Sequence, residues 1–233
     1  MNASGTSFVG RRDNNEDTFR VCHDLGLYLV ADGMGGHEGG EIASRVVAET
    51  VTNYLSAQFA DGLAEGSLNK AIREATSEVE RLAVGGLREM GTTLAALWVR
   101  EDVAVVAHVG DSRVYRLRDA RLERLTLDHS FVAELEEAGA TALLQSLPPS
   151  MSAMVTRCIA LGANTEPDIA IHPTQPGDVF LLCSDGLTDV LSDAEIAEVL
   201  MEFAEPKRAS NELTRLAYES GSQDNITCVV VVA

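Results

Sequence analysis

Short apolar runs recur along the chain at Leu27–Ala31, Leu94–Val99, Val103–Val109, Val114–Leu117, Val179–Cys183 and Ile226–Val232. They are rich in Val, Leu and Ile and bounded by Gly, Asp, Asn or Pro, which predicts strands. Leu94–Val99 and Val103–Val109, joined by Arg100-Glu101-Asp102, read as a hairpin. Elsewhere the period changes. Ile42, Val46, Val47, Thr50, Val51, Tyr54 and Leu55 mark one face of a helix over about residues 39–58, and Leu68, Ile72, Ala75, Val79 and Leu82 mark a second. Ser192-Asp-Ala-Glu195 is a capping box with Ile196, Val199, Leu200 and Phe203 behind it. A further helix starts near Pro206 and ends at Gly221, Pro first and Gly last being the favoured order. Grouped strands with hairpin connections predict an α+β fold, with antiparallel sheets covered by helices.

From about Asp128 to Pro173 the strand signal weakens around Pro148-Pro149, and this segment reads as a flap inside one domain spanning residues 1–233. No linker, solenoid repeat or low-complexity tract divides the chain. With 36 acidic residues against 18 Lys and Arg the net charge is −18, which argues against a general nucleic-acid or anionic-membrane binder. Cys22, Cys158, Cys183 and Cys228 stand singly with no C-x-x-C pair, so a thiolate zinc site or redox dithiol is not expected. Met1-Asn2-Ala3-Ser4-Gly5 has no basic region followed by an apolar stretch, and no apolar run reaches the ~20 residues of a membrane helix. The expectation is a soluble, cytoplasmic protein.

Three apolar runs end alike: Ala31-Asp32-Gly33, Gly110-Asp111-Ser112 and Ser184-Asp185-Gly186. Asn15-Glu16-Asp17 and Gln223-Asp224-Asn225 abut two further strand-like stretches. Each Asp alone reads as a turn former. If the ends converge, however, like charges ~4 Å apart repel by about 4 kcal/mol at an effective dielectric of 20. Such a cluster needs cations or protons between its members. Oxygen ligands without His or Cys select hard ions, so the residues indicate a candidate Mg²⁺ or Mn²⁺ carboxylate site.

Arg12-Asp-Asn-Asn15-Glu16-Asp17, Val30-Ala-Asp-Gly-Met-Gly-Gly-His37, Gly91-Thr-Thr93, Val109-Gly-Asp-Ser-Arg113, Leu125-Thr-Leu-Asp-His-Ser130, Ser184-Asp-Gly-Leu-Thr-Asp189 and Gln223-Asp-Asn-Ile-Thr227 follow one another in order. This series resembles the metal-dependent protein phosphatases, the type 2C serine/threonine phosphatases, in a compact bacterial form. The resemblance implies a four-layer α-β-β-α sandwich of two antiparallel sheets flanked by helices, with a small flap and a dinuclear metal centre at one edge. Asp32 matches the carboxylate bridging both metals, Gly33 the carbonyl ligand, and Asp17, Asp185 and Asp224 the remaining carboxylate ligands. Asp111 matches the residue that, with Asp185, holds a third, weaker metal in bacterial members. Arg12 matches the arginine that grips the substrate phosphate.

The reaction so implied is in-line attack, by a hydroxide shared by two Mg²⁺ or Mn²⁺ ions, on the phosphorus of phosphoserine or phosphothreonine in a protein. Partners would be phosphorylated proteins and a serine/threonine kinase whose action the enzyme opposes. His37 could protonate the leaving alkoxide, or only touch the loop and the water around the metals; Met34 stands where eukaryotic members carry a histidine. Glu16 ranks below Asp17 as a ligand, Asn225 is expected to orient its turn, Asp128 and His129 to serve structure at the flap's start, and Arg157 has no assigned role. Two departures from the family pattern are the close spacing of Gly10 and Arg12 and a flap without the basic residue many relatives carry before Val155-Thr-Arg157. Two other readings compete: a non-catalytic phosphoprotein-binding module of the same fold, and a hydrolase of small phosphoesters. Five filled Asp positions weigh against the first, and the lack of a glycine-rich nucleotide cradle against the second.

Overall fold

A strand apolar on both faces needs cover on both sides, and here two stacked sheets with helices outside each supply it. The structure is a computed structural model that describes residues 1–35, 39–58, 66–144, 146–148, 151 and 154–233. In chain order its strands are β1 (Asn2–Phe8), β2 (Thr18–Cys22), β3 (Leu27–Ala31), β4 (Gly33–Met34), β5 (Gly91–Thr92), β6 (Leu94–Arg100), β7 (Val103–Val109), β8 (Arg113–Arg118), β9 (Arg121–Arg124), β10 (Ile159–Ala160), β11 (Asp168–Pro173), β12 (Val179–Cys183) and β13 (Ile226–Val232). Its α-helices are α1 (Gly39–Gln58), α2 (Ser67–Leu82), α3 (Phe131–Glu137), α4 (Thr141–Leu144), α5 (Asp185–Thr188), α6 (Asp193–Glu202) and α7 (Pro206–Glu219).

One five-stranded sheet has the order β1-β13-β12-β8-β9 and the other β11-β7-β6-β3-β2, and every pairing is antiparallel. Alternation along each central strand builds three apolar layers. Tyr28, Val30, Leu97 and Val106 meet Val114, Phe180, Leu182, Val229 and Val231 between the sheets. Leu27, Leu29, Leu94, Ala96 and Val109 face outward onto α1 and α2. Leu181, Cys183, Ile226, Cys228 and Val230 face outward on the other sheet, onto α5, α6 and α7. Each fully buried Leu or Val side chain contributes ~1.5–3 kcal/mol. Burial of that size explains why the central strands read as near-continuous apolar runs.

The expected interior strands, the hairpin, the capping box at Ser192 and the helix from Pro206 are all present. Of the strands without an expectation, β1, β2, β9 and β11 are the four edges of the two five-stranded sheets, and the two-residue strands β4, β5 and β10 form a small sheet of their own. Edge strands bury less and carry polar residues or Pro, so their apolar signal is weak. Strand β11 lies inside the stretch read as flap, so Asp168–Pro173 is a sheet edge paired to β7 and not part of an insertion. The α1 stripe is also rotated from its expected position. Its fully buried residues include Ala43, Ser44, Val47, Ala48, Val51 and Leu55, whereas Ile42, Val46 and Tyr54 are only half-buried. Small residues let α1 sit close to the sheet, and a count of large apolar positions misplaces the centre of such a face.

Candidate metal centre

Antiparallel order decides where the aspartates go. Strands β3 and β7 flank β6 in one sheet, so their C-termini lie at the same end, and β2 begins beside the end of β3. In the other sheet β12 ends where β13 begins. Asp32, Asp111, Asp17, Asp185 and Asp224 therefore gather at one end of the sandwich. Asp32, Gly33, Asp111, Asp185 and Asp224 line a cleft of about 550 Å³ together with Arg12, Glu16 and Asn225. Asp17 lies buried behind it. A neighbouring cleft of about 410 Å³ shares Asp111 and Asp185 and continues to Asp128 and Asp189.

Hydrogen bonds from residues distant in the chain hold Asp17, Asp32 and Asp224 in place. The Asp32 amide donates to Thr93 Oγ1 at 3.0 Å, and its carbonyl accepts from the Thr93 amide at 2.8 Å and from Thr92 Oγ1 at 2.8 Å. Ser184 Oγ donates to Asp17 Oδ2 at 2.8 Å, linking one sheet's ligand to the other sheet's strand end. Asn225 Oδ1 accepts from the Glu16 amide at 2.8 Å, while its Nδ2 donates to Val9 O and Asn14 O at 2.9 Å each. Asn225 thus orients the turn and also fastens the Arg12 loop beside Asp224. Arg12 donates to Asp224 Oδ2 at 2.6 Å and to Gln223 O at 3.2 Å, with 56% of its side chain exposed. Gly33 is wedged against backbone: a Cβ there would collide with the carbonyl oxygens of Gly40 and Glu16.

Electrostatics mark the cluster as unfinished. Burial, then the charges of Asp17, Asp185, Asp111 and Asp224, holds the Asp32 carboxyl well above the ordinary carboxylate range. Burial raises Asp17 to about 6. It also raises Asp111 to about 6, where Asp128 and Asp189 add repulsion. Asp185 is pushed to about 8 by burial and by Asp111, Asp189 and Asp224. Among the described residues, Asp17 Oδ1 and Asp185 Oδ1 are buried with no hydrogen-bond partner. Orphaned buried carboxylate oxygens are costly unless a cation or proton satisfies them. An all-oxygen donor set with two open, buried lone-pair sites fits hard divalent cations.

Other placements refine the picture. Asp128 is paired with Arg113 by a two-pronged bond, Nε to Oδ1 at 3.0 Å and Nη2 to Oδ2 at 2.7 Å, which fixes it at the side of the neighbouring cleft. His37 lies outside the described residues. Among the described residues, His108, His129 and Asp168 also bring one ligand atom each within 4.8 Å of one another, a group separate from Asp17, Asp32, Asp111, Asp185 and Asp224. Sequence reasoning missed Ser184, Asn225's bonds to Val9, Asn14 and Glu16, and the Thr93–Ser112 hydroxyl pair (2.7 Å) beneath Asp32. Their small polar side chains carry no pattern until the strand ends meet.

The sequence profile of protein phosphatase 2C matches residues 4–217. The chain belongs to the protein phosphatase 2C family. It is 35% identical to the serine/threonine protein phosphatase PstP of Mycobacterium tuberculosis over 94% of this chain, and it spans 42% of that relative's length. Against the serine/threonine phosphatase stp of Listeria innocua it is 33% identical, covering 99% of this chain and 95% of the relative. The crystal structure of the PstP catalytic domain in complex with two manganese ions superposes with a TM-score of 0.85 at 33% identity, covering 98% of this chain and 96% of that one. The fold expected of the family, two antiparallel sheets between helical layers, is the fold of this type 2C chain.

Proposed function

We propose that this chain hydrolyses phosphoserine and phosphothreonine in proteins, using Mn²⁺ or Mg²⁺ held at the Asp17, Asp32, Asp185 and Asp224 cluster. The observation that carries this reading is the pair of orphaned, buried oxygens on Asp17 and Asp185, at the end of the sandwich that also holds Asp32 and an exposed arginine. Divalent cations bound there supply charge neutralisation and an acidified water as nucleophile. Asp32, whose carboxyl feels the charges of Asp17, Asp185, Asp111 and Asp224, would be the carboxylate shared by two cations, with the Gly33 carbonyl as a further oxygen ligand. Asp111 with Asp185 would hold a third, weaker cation. Arg12 binds the phosphate: its planar fork meets two oxygens at once. Its present tie to Asp224 is an exposed ion pair of the kind worth ~1 kcal/mol or less, so turning to a phosphate costs little.

His37 as the acid for the leaving alkoxide rests on its place five residues after Asp32 in the chain and on the neutral-range chemistry of an imidazole. The chain works as a single catalytic domain, in the cytoplasm, opposing a serine/threonine kinase. No helix among the described residues is long and apolar enough to cross a membrane. The test is phosphate release from a phosphothreonine peptide. Release is expected with Mn²⁺ or Mg²⁺ and lost in excess EDTA, and Asp32→Asn should abolish it while leaving the circular dichroism spectrum intact. Equal turnover in EDTA refutes the metal reading. Peptide binding without turnover in saturating Mn²⁺ refutes the enzyme in favour of a binding module.

A further inference from the structure

The trio His108, His129 and Asp168 lies outside the aspartate cluster, yet it touches the turn that carries Asp111. His129 is buried at the root of the segment that follows β9. Its backbone amide donates to Gly110 O at 3.0 Å, and the Gly110 amide donates to His129 Nδ1 at 3.2 Å. One residue thereby closes on both polar groups of Gly110, immediately before Asp111. Gly110 has φ +104 and no side chain of its own to anchor the turn, so these bonds set its geometry.

The other edge of the ring is equally engaged. His129 Nε2 is 3.1 Å from Asp168 Oδ2, and Arg157 Nη1 donates to Asp168 Oδ1 at 2.8 Å while standing 3.3 Å from Nε2. Because Nδ1 faces an N–H donor it must present its lone pair, which leaves the ring proton on Nε2, donated to Asp168. His108 stacks on the ring at 4.4 Å and is itself tied to Leu127 O at 2.7 Å. A metal ion in this trio would have to displace the Arg157 guanidinium. The geometry is that of a brace. The His129 carbonyl also accepts from the Thr156 amide at 2.8 Å, and Ser130 bridges Val155, so both stems of the flap meet at this residue.

We propose that His129 is a positioning residue, whose Nδ1 lone pair, kept toward Gly110 by the Asp168 carboxylate, aims the Asp111 carboxylate at the cation it holds. The proposal rests on the reading of Asp111 as a cation ligand. It explains Arg157, which fixes the orientation of Asp168, and it joins the flap stems to the metal centre through one imidazole.

The experiment is calorimetric titration of Mn²⁺ into the metal-free full chain, as wild type, Asp111→Asn, His129→Asn and His129→Gln, with melting curves for each. Asparagine places an acceptor near the Nδ1 position and glutamine near Nε2, so both lose the ring's packing but only the first keeps the bond to Gly110. His129→Gln should weaken the Asp111-dependent site ~10–100-fold, the usual cost of losing a partner that orients a ligand, while His129→Asn keeps most of the affinity. Equal affinity in all three His129 forms, or equal loss in both variants, overturns the proposal. Unaltered Mn²⁺ binding in Asp111→Asn instead overturns the ligand reading, and the brace with it.

Asp168 is half exposed, so its variants test the same bond at less risk to folding. In Asp168→Ala the Arg157 donor is left facing Nε2, which favours the tautomer with the proton on Nδ1, against the Gly110 amide. Imidazole ¹⁵N shifts should show the Nε2–H tautomer in wild type and Asp168→Asn but not in Asp168→Ala, with Mn²⁺ affinity following the tautomer. An Nδ1–H tautomer in the wild-type protein refutes the proposal outright.

Discussion

Replacing Asp185 by asparagine should stabilise the metal-free protein, and by more as the pH rises. Burial, then the charges of Asp111, Asp189 and Asp224, lifts the Asp185 carboxyl from 3.8 to about 8 in the folded chain. The native state therefore keeps a proton that the unfolded chain gives up near pH 4. Wild-type stability at this site is full at low pH and declines as the pH climbs to about 8. At ~1.4 kcal/mol per pKa unit the ceiling over the whole span is about 6 kcal/mol. Asp185 titrates together with its neighbours, and part of the repulsion relaxes, so the expected change between pH 5 and pH 8 is about 2–4 kcal/mol. For a chain of this length each kcal/mol moves Tm by ~2–4 °C. The assay is differential scanning calorimetry in EDTA at a series of pH values, for wild type and Asp185→Asn. The gap in Tm should open in favour of the variant by at least ~4 °C between the two ends. Saturating Mn²⁺ should reverse the order, because the wild type then gains the binding free energy that the variant forfeits. A gap that stays flat or narrows with pH would mean that Asp185 is ordinarily ionised and that the crowding argument is wrong.

Arg12→Ala should raise KM for a phosphothreonine peptide ~10–100-fold with a smaller change in kcat, as expected for a lost charge-assisted bond made before the transition state; steady-state kinetics in saturating Mn²⁺ decides, and a loss confined to kcat contradicts a binding role. Gly33→Ala would drive a methyl group into the carbonyl oxygens of Gly40 and Glu16, and melting curves should show Tm lower by ~4–10 °C. Ser192→Ala removes the side-chain acceptor of the Glu195 amide that caps α6. A drop of ~2–4 °C with unaltered phosphatase kinetics is expected there, and an unchanged Tm would show the cap to be idle.

Local pattern carried the strands and helices whose residues are buried for local reasons. Leu27–Ala31 and Ile226–Val232 pack on both faces, so each position contributes to the signal. Ser192 and Glu195 cap one another within four residues of chain. The edge strand Asp168–Pro173, with Ile171 exposed and Pro173 at its end, was illegible because its identity comes from pairing with β7. The seven ordered motifs pointed to Asp17, Asp32, Asp111, Asp185 and Asp224 as a set, through resemblance and through their places at strand ends.

What the amino-acid order determined alone was the material: oxygen ligands at the ends of apolar runs, a basic fork near the start, and too much negative charge for a polyanion binder. Only the tertiary structure decided which oxygens are left without partners, that Asp128 is ion-paired with Arg113 while Asp185 has no such partner among the described residues, and that His129 reaches the Gly110 turn. The reason is physical. Charge and hydrogen-bond energies depend on distance and on exclusion of water, and both are set by antiparallel pairing between segments as far apart as Asn2–Phe8 and Ile226–Val232.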